Sequence, residues 1–303
     1  MAIISVEHLT KDYGFGRGVF DVSFGIQKGE VFGFLGPNGA GKTTTIRHIM
    51  GFSKPMSGAT SVLGLDSCTQ YSQFLKSVGY LPGEIALPAG LTGWEFIKMM
   101  GELRKSNNKE RLDYLLAKFE LDPSGSVKRM SLGVKRKLAV VTAFMDDPEV
   151  LILDEPTSGL DPVMQENFIG FIKEEKKRGK TILLSSHIFR EVDATCDRIA
   201  IIKDGRIQST VVANDLRHNN NKTYQIEFCS DADYAAFANK GFELSFKDQA
   251  KRKVKVNIKD SDINYLIAAT GDIKINYFKE IKFTLEDYFM SFYKASKEFG
   301  GIK

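Results

Sequence analysis

A glycine-rich loop that ends in one lysine is the feature that most constrains how this chain can fold. Residues 33–45 read GFLGPNGAGKTTT, and they continue the apolar run that starts at Val31. Glycines let the backbone curl so that successive N–H groups point inward at phosphate oxygens, and the following helix adds the positive end of its dipole. The segment matches G-x-x-x-x-G-K-[ST], so it predicts a P-loop between a buried strand and a helix.

The residues of this loop are candidate ligands for a nucleoside triphosphate. They are Gly36, Pro37, Asn38, Gly39, Ala40, Gly41, Lys42, Thr43 and Thr44. We expect Lys42 to supply a full positive charge to the β- and γ-phosphates, and the Thr43 hydroxyl to bind Mg²⁺. A flexible turn before a helix would contain the same glycines, but the flanking strand and helix would then be accidental.

Two carboxylates follow a second apolar run. Residues 150–162 read VLILDEPTSGLDP, so Asp154 and Glu155 come directly after a buried strand. Paired carboxylates at a buried position need a cation or a reacting proton nearby. We expect Asp154 to hold Mg²⁺, and Glu155 to polarise the water that attacks the γ-phosphate. The alternative is a simple turn at the strand end, because D-E-P and S-G are common turn residues.

A histidine ends a third apolar run, TILLSSH at 181–187. The carboxyl ends of parallel strands meet at one edge of a sheet, so we expect His187 near Lys42 and Asp154. There it would bind the γ-phosphate or help to position the attacking water. A lone histidine is more often structural, and only the two other motifs favour the functional interpretation. In RMSLGVKRKLAVV at 129–141, Ser131 is typical of a helix N-cap.

The order of apolar runs and helical patterns predicts an α/β fold with a mainly parallel sheet covered on both faces. Strands are expected at 31–35, 149–153, 181–185 and 198–203, and helices at 43–51, 92–105, 109–119, 131–145, 162–178 and 188–196.

A second, smaller domain is expected after the polar segment HNNNK at 218–222, which is typical of a linker. The predicted domains are 1–217 and 222–303. After the linker the pattern is β-α-β-β-α-β with one further amphipathic helix, which is compatible with a small ferredoxin-like α+β domain.

Composition limits the partners. The chain has 42 basic and 38 acidic residues, an excess too small to indicate nucleic-acid binding. The charge runs at 134–137 and 173–180 are expected to be solvated helix faces. Three separated cysteines favour a reduced compartment. The start of the chain is unlike a signal peptide, and the longest apolar runs are far shorter than the roughly 18 residues of a membrane span.

Together the motifs resemble those of the nucleotide-binding subunits of ABC transporters, over residues 2 to about 210. GPNGAGKTT looks like Walker A, VLILDEP like Walker B, SGLD at 158–161 like the D-loop and MSLGV at 130–134 like the signature. The resemblance implies a P-loop NTPase ABC cassette with a helical subdomain that binds ATP and Mg²⁺. It also implies that His187 is the switch histidine, that Tyr13 stacks on adenine, and that Asp161 belongs to the nucleotide site.

Two departures from the family pattern stand out. In VGYLPGE at 78–84, which looks like the Q-loop, Gly83 stands where the family usually has a glutamine that would touch Mg²⁺. In the signature, Leu132 and Val134 replace the usual glycine and glutamine. Ser131 and Gly133, which would face the γ-phosphate, are kept, so the signature is degenerate.

The resemblance further implies how such a chain works. Two ATP-binding subunits, expected here to be identical copies, would bind ATP between the Walker motifs of one and the signature of the other. A separate integral membrane permease would be the second partner, and the location would be cytoplasmic, at the inner face of the cell membrane. The amino-acid sequences at 31–51, 80–97 and 283–293 are similar to those of ATP-binding subunits of bacterial ABC-2 type exporters. The alternatives are an importer ATPase and a non-transport ABC ATPase that acts on ribosomes or DNA.

Overall fold

The computed structural model of the chain describes residues 2–105, 108–217 and 221–294. Contacts between residues divide the chain into two compact units, Met1–Ala213 and Asn214–Lys303.

A six-stranded sheet forms the centre of the first unit. Its strand order is β10-β9-β3-β8-β7-β6, and all neighbours are parallel except the edge strand β10. The strands of the first unit are β1 (Ile4–Asp12), β2 (Gly18–Ile26), β3 (Val31–Leu35), β4 (Ser57–Val62), β5 (Leu65–Asp66), β6 (Val78–Leu81), β7 (Val150–Asp154), β8 (Thr181–Ser186), β9 (Arg198–Lys203) and β10 (Arg206–Val212).

The strands that the sequence predicted lie in the middle of this sheet. Every residue of β3, β7 and β8 is buried, as expected for parallel strands covered on both faces. Asp154 pairs with Ser185, and Leu35 pairs with Ser186, so these three strands end at the same level. The loop after β3 and the carboxylates after β7 therefore lie at one edge of the sheet.

A second sheet in the first unit was not predicted from the sequence. β1, β2, β4 and β5 form an antiparallel sheet in the order β2-β1-β4-β5. Burial along β1 and β2 is mixed rather than continuous, so neither strand has the long apolar run of the central strands.

Within the part of the chain that the structure describes, eight α-helices come before the second unit's sheet. They are α1 (Lys42–Ile49), α2 (Tyr71–Phe74), α3 (Gly93–Arg104), α4 (Lys109–Lys118), α5 (Leu132–Phe144), α6 (Pro162–Lys177), α7 (Phe189–Thr195) and α8 (Ala213–Arg217). Helices α3, α4 and α5 are inserted between the adjacent strands β6 and β7, which gives the predicted helical subdomain. Over the described ranges, no helix has both the length and the apolar content needed to cross a bilayer.

The second unit has the predicted order of elements. They are β11 (Asn221–Phe228), α9 (Asp231–Ala238), β12 (Glu243–Asp248), β13 (Lys253–Lys259), α10 (Ile263–Ala269), β14 (Ile275–Ile281) and α11 (Leu285–Lys294). The sheet is antiparallel in the order β12-β13-β11-β14. Its core contains Ile226, Phe237, Val256 and Leu266. Residues 218–220 of the predicted linker lie outside the described residues.

Candidate active site

The loop between β3 and α1 has room only for glycine at both of its ends. A Cβ on Gly36 would lie 2.5 Å from the carbonyl oxygen of Ile202, and a Cβ on Gly41 would lie 2.7 Å from Val19 Cγ1. Gly41 also has a φ of 107°, which side chains disfavour. The tip at 37–39 is exposed and Ala40 is buried. The tight backbone and the start of α1 suit a phosphate group.

Lys42 places its charge inside this loop. The side chain is only 4% exposed, and its Nζ donates hydrogen bonds to the carbonyl oxygens of Gly36 at 2.8 Å and Pro37 at 3.1 Å. The same Nζ lies 3.0 Å from Glu155 Oε1. A buried ammonium needs such partners. Thr44 follows in the first turn of α1.

Thr43 and Asp154 come together at the start of α1 and the end of β7. The Thr43 hydroxyl donates a hydrogen bond of 2.7 Å to Asp154 Oδ2, and the Ser185 hydroxyl donates to Asp154 Oδ1. Asp154 is fully buried. Hydroxyl and carboxylate oxygens are the ligands that Mg²⁺ prefers, so this pair fits a magnesium ion.

Glu155 and His187 form the third contact of the site. His187 Nδ1 lies 2.8 Å from Glu155 Oε2, while the other carboxylate oxygen contacts Lys42. Glu155 has a φ of 46°, an unusual value for a residue with a side chain. Its N–H donates to the Ser185 carbonyl oxygen at 3.0 Å, which holds this backbone in place. The arrangement therefore brings together a cation, a carboxylate and an imidazole beside the loop.

Other residues of the expected nucleotide site lie elsewhere. Tyr13 is 55% exposed after β1, with Lys11 Nζ at 5.6 Å from its ring centre. Ser131 caps α5 by accepting from the N–H of Val134, and Asp161 caps α6. Gly133 of α5 lies next to the Gly159 carbonyl oxygen, since a Cβ there would be at 3.2 Å.

None of these residues joins the group around Lys42. Over the described residues, the side chains of Ser131 and Asp161 hydrogen-bond only within their own helix starts.

Gly83 lies directly against Asp154, the carboxylate that fits a magnesium ion. A Cβ at this position would be 3.1 Å from Asp154 Oδ2, which is tighter than ordinary contact. The turn at 82–83 can therefore approach Asp154 this closely because residue 83 has no side chain.

Arg136 is a residue of this region that the sequence analysis missed. It lies within the charge run 134–137, which was expected to be a solvated helix face. That expectation is wrong for Arg136, which is 2% exposed. The run at 173–180 contains a similar exception, because Glu175 is buried and contacts Arg111 at 2.7 Å. A run of charged residues in the sequence does not show which of its side chains faces the interior of the protein.

Glu191 is the second missed residue. It lies on α7, is 1% exposed, and accepts a hydrogen bond of 2.6 Å from the hydroxyl of Ser186. Burial raises the pKa of Glu191 to about 7, against the lowering effect of the Ser186 hydroxyl. Ser186 also accepts from the N–H of Ile188, so Glu191 supports the turn that carries His187. A single glutamate in a helical pattern gives no sequence signal of this kind.

Comparison with known proteins agrees with this geometry. The model of the family described as "ABC transporter" matches residues 19–158. A protein of Bacillus subtilis (strain 168), the uncharacterized ABC transporter ATP-binding protein YhcH, is 32% identical over 299 residues, which are 98% of this chain and 97% of that protein. The chain belongs to the family of ABC transporter ATP-binding proteins. The resemblance seen in the sequence is thereby confirmed.

Two further matches extend the identification of this ABC ATPase. The bacitracin transport ATP-binding protein BcrA of Bacillus licheniformis is 33% identical over 228 residues, covering 74% of each chain. A solved structure titled "Structure of ATP binding subunit of ABC transporter" has a TM-score of 0.66 and 32% identity, and covers 71% of this chain and 92% of its own. The ABC cassette fold and the ATP-hydrolysing activity are therefore properties of this chain.

Proposed function

We propose that this ABC ATPase is the ATP-hydrolysing subunit of a bacterial exporter, and that it drives transport by a separate integral membrane permease. The observation that carries the ATP-hydrolysing part of the proposal is the contact of Glu155 with both Lys42 and His187, beside Thr43 and Asp154. Export is supported by the similarity of residues 31–51 and 80–97 to subunits of ABC-2 type exporters.

The residues around the loop would bind ATP and Mg²⁺. The backbone from Gly36 to Gly41 and the ammonium of Lys42 would hold the phosphates, and Thr43 and Asp154 would hold the metal. Magnesium neutralises part of the phosphate charge and so favours transfer of the γ-phosphoryl group to water. The carbonyl oxygens of Gly36 and Pro37 accept hydrogen bonds from Lys42 Nζ and hold its charge inside the loop.

Glu155 would act as the general base. It would accept a proton from the attacking water, and His187 at 2.8 Å would hold the carboxylate in place. Because both carboxylate oxygens already have partners, Glu155 is oriented by its neighbours rather than free to rotate.

A second copy of the subunit would complete the site. Ser131 and Gly133 lie at the start of α5, and neither hydrogen-bonds to the group around Lys42. A phosphate bound at Lys42 would therefore meet the α5 start of another copy. Tyr13, which is exposed, would contact the adenine.

An apolar groove next to the site would receive the permease. It has a volume of about 560 Å³, and exposed Phe52, Tyr71 and Leu103 line it together with Tyr80 and Pro82. A helix of the membrane subunit seated there would contact the segment that leads to Gly83, which lies against Asp154. A movement of the permease helix could therefore be transmitted through this segment to the nucleotide site.

The second unit is proposed to be an accessory domain, 222–303, that regulates or stabilises the pair of subunits, and the ATPase domain is proposed to be 1–217. The pair would lie in the cytoplasm at the inner face of the cell membrane, where the permease would recruit it. No nucleic acid is expected as a partner.

The experiment that tests the proposal is purification of tagged Glu155→Gln protein from detergent-solubilised host membranes in the presence of ATP. We expect a polytopic membrane protein to co-purify, because the variant should bind ATP and stay in the closed pair. Leu103→Glu in the same background should lose that membrane protein. Recovery with ribosomes or DNA alone would refute the transport role.

Glu155→Gln also tests the base assignment. We expect ATP hydrolysis about a hundredfold slower with ATP binding retained, because an amide cannot accept the proton of the attacking water. Hydrolysis near the wild-type rate would contradict the role given to Glu155.

A further inference from the structure

Arg136 is a buried cation whose hydrogen bonds all go to backbone carbonyl oxygens. It lies on α5, one turn after the predicted phosphate contacts Ser131 and Gly133, and is 2% exposed. Its guanidinium donates to the carbonyl oxygens of Ser158 at 2.9 Å, Pro82 at 2.9 Å and Gly83 at 2.6 Å. One side chain of the helical subdomain thus contacts two separate segments beside the active site.

Both segments adjoin the two carboxylates. The N–H of Ser158 donates to the carbonyl oxygen of Glu155 at 3.1 Å, so Ser158 closes the turn that carries Glu155. Gly83 lies against Asp154 so closely that a Cβ would be 3.1 Å from its Oδ2. Holding the carbonyl oxygens of Ser158 and Gly83 therefore fixes the backbone on either side of the carboxylate pair.

We propose that Arg136 is a positioning residue of the ATPase: it holds the turns at 82–83 and 158 against Asp154 and Glu155, and so sets the geometry of the Mg²⁺-binding carboxylate. The inference rests on the proposed role of Asp154. It also assigns a role to Gly83, whose small size permits the close approach that Arg136 maintains.

The chemistry of the contact requires arginine. Three carbonyl oxygens in different directions match the several N–H groups of a planar guanidinium, whereas a lysine ammonium is a compact point charge. Burial disfavours the charged guanidinium and lowers the pKa of Arg136, while the nearby charges of Asp154 and Glu155 act in the opposite direction. The cation therefore stabilises the negative carboxylates as well as the turns.

The test compares full-length wild-type protein with Arg136→Gln. Titration calorimetry of a non-hydrolysable ATP analogue with and without Mg²⁺ measures how much the metal strengthens nucleotide binding. We expect that gain to fall about tenfold in Arg136→Gln, the size of effect seen when outer-shell partners of metal ligands are removed. Binding of the analogue without metal should change less than about threefold, because the loop around Lys42 is untouched. Hydrolysis should show a raised Mg²⁺ requirement.

Matched variants separate positioning from general stability. Arg111→Gln removes another largely buried arginine, which contacts Glu175 away from the site, and should leave the Mg²⁺ effect unchanged. Arg136→Lys keeps the charge but lacks the planar set of donors. On a logarithmic scale, it should restore less than half of the Mg²⁺-dependent gain in affinity that Arg136→Gln loses. Full recovery by lysine would refute positioning through the three carbonyl oxygens.

A second variant keeps the inference testable if Arg136→Gln does not fold. Gly83→Ala retains Arg136 but forces a methyl group toward Asp154, so it should weaken the Mg²⁺ effect in the same direction. Unchanged Mg²⁺ effects in the folded variants would overturn the inference. Asp154→Asn is the reference: if it too leaves the effect unchanged, the proposed site itself fails, whereas an effect in Asp154→Asn alone refutes only the role of Arg136.

Discussion

Replacing Glu191 with glutamine should make the first unit more stable near neutral pH. The carboxyl group is 1% exposed and lies beside the Ser186 hydroxyl, and burial raises its pKa from 4.5 to about 7. Below pH 4.5 the group is protonated in both the folded and the unfolded chain. As the pH rises from 4.5 to about 7, only the unfolded chain loses the proton, so the free energy of unfolding falls.

The magnitude follows from the two pKa values. The gap between 4.5 and about 7 corresponds to a loss of about 3 kcal/mol, complete once the pH exceeds the folded-state pKa. Glutamine does not titrate and can still hydrogen-bond to Ser186. The difference in unfolding free energy, Glu191→Gln minus wild type, should therefore grow by about 3 kcal/mol between pH 4.5 and 7 and then stay constant.

Urea unfolding followed by tryptophan fluorescence measures this directly. The chain has one tryptophan, Trp94 in α3, so the signal comes from the first unit. Glu110→Gln, on the exposed side of α4, removes the same charge at the surface and should stay within about 0.5 kcal/mol of wild type. Parallel profiles of wild type and Glu191→Gln from pH 5 to 8, differing by a constant within about 0.5 kcal/mol, would refute the reasoning.

Three further changes test the site and the two cores. Lys42→Ala removes the buried ammonium that would bind the phosphates and that contacts Glu155. ATP affinity measured by equilibrium dialysis should fall by about 30-fold or more. A fall of less than about threefold would contradict the phosphate-binding role of Lys42. Phe237→Ala empties a fully buried position of the second unit and should cost about 3–5 kcal/mol, seen as faster amide hydrogen exchange in β11 and β13. Thr92→Ala breaks the capping box with Glu95 and should cost about 1 kcal/mol in urea unfolding; no measurable loss would show that α3 does not depend on its cap.

Local patterns were sufficient for most of the elements. The runs VFGFL and RIAIIK are strands at 31–35 and 198–203, as predicted, because buried parallel strands need continuous apolar residues. Ser131 starts a helix as expected, since its side chain accepts from a backbone N–H group of the first turn. Asp161 caps α6 in the same way, although the sequence analysis assigned it only to the nucleotide site. The predicted order of elements in the second unit was also correct, because apolar residues recur with a different spacing in strands than in helices.

The antiparallel sheet of β1, β2, β4 and β5 could not be predicted in the same way. Its strands are partly exposed, and β1 pairs with β4 about fifty residues later in the chain. Such a sheet is stabilised by the cross-strand neighbours of each residue, and these are known only once the chain has folded.

The sequence by itself determined the chemistry of this protein. The spacing of glycines and lysine, two carboxylates after one apolar run and a histidine after another indicate phosphate binding and hydrolysis, because residue type and strand order place those groups at one sheet edge. Only the tertiary structure decided which side chains support them. Arg136 lies in a run of basic residues and Glu191 in an ordinary helix, yet both are buried. Burial of one charged side chain depends on contacts between distant segments, which no local pattern contains.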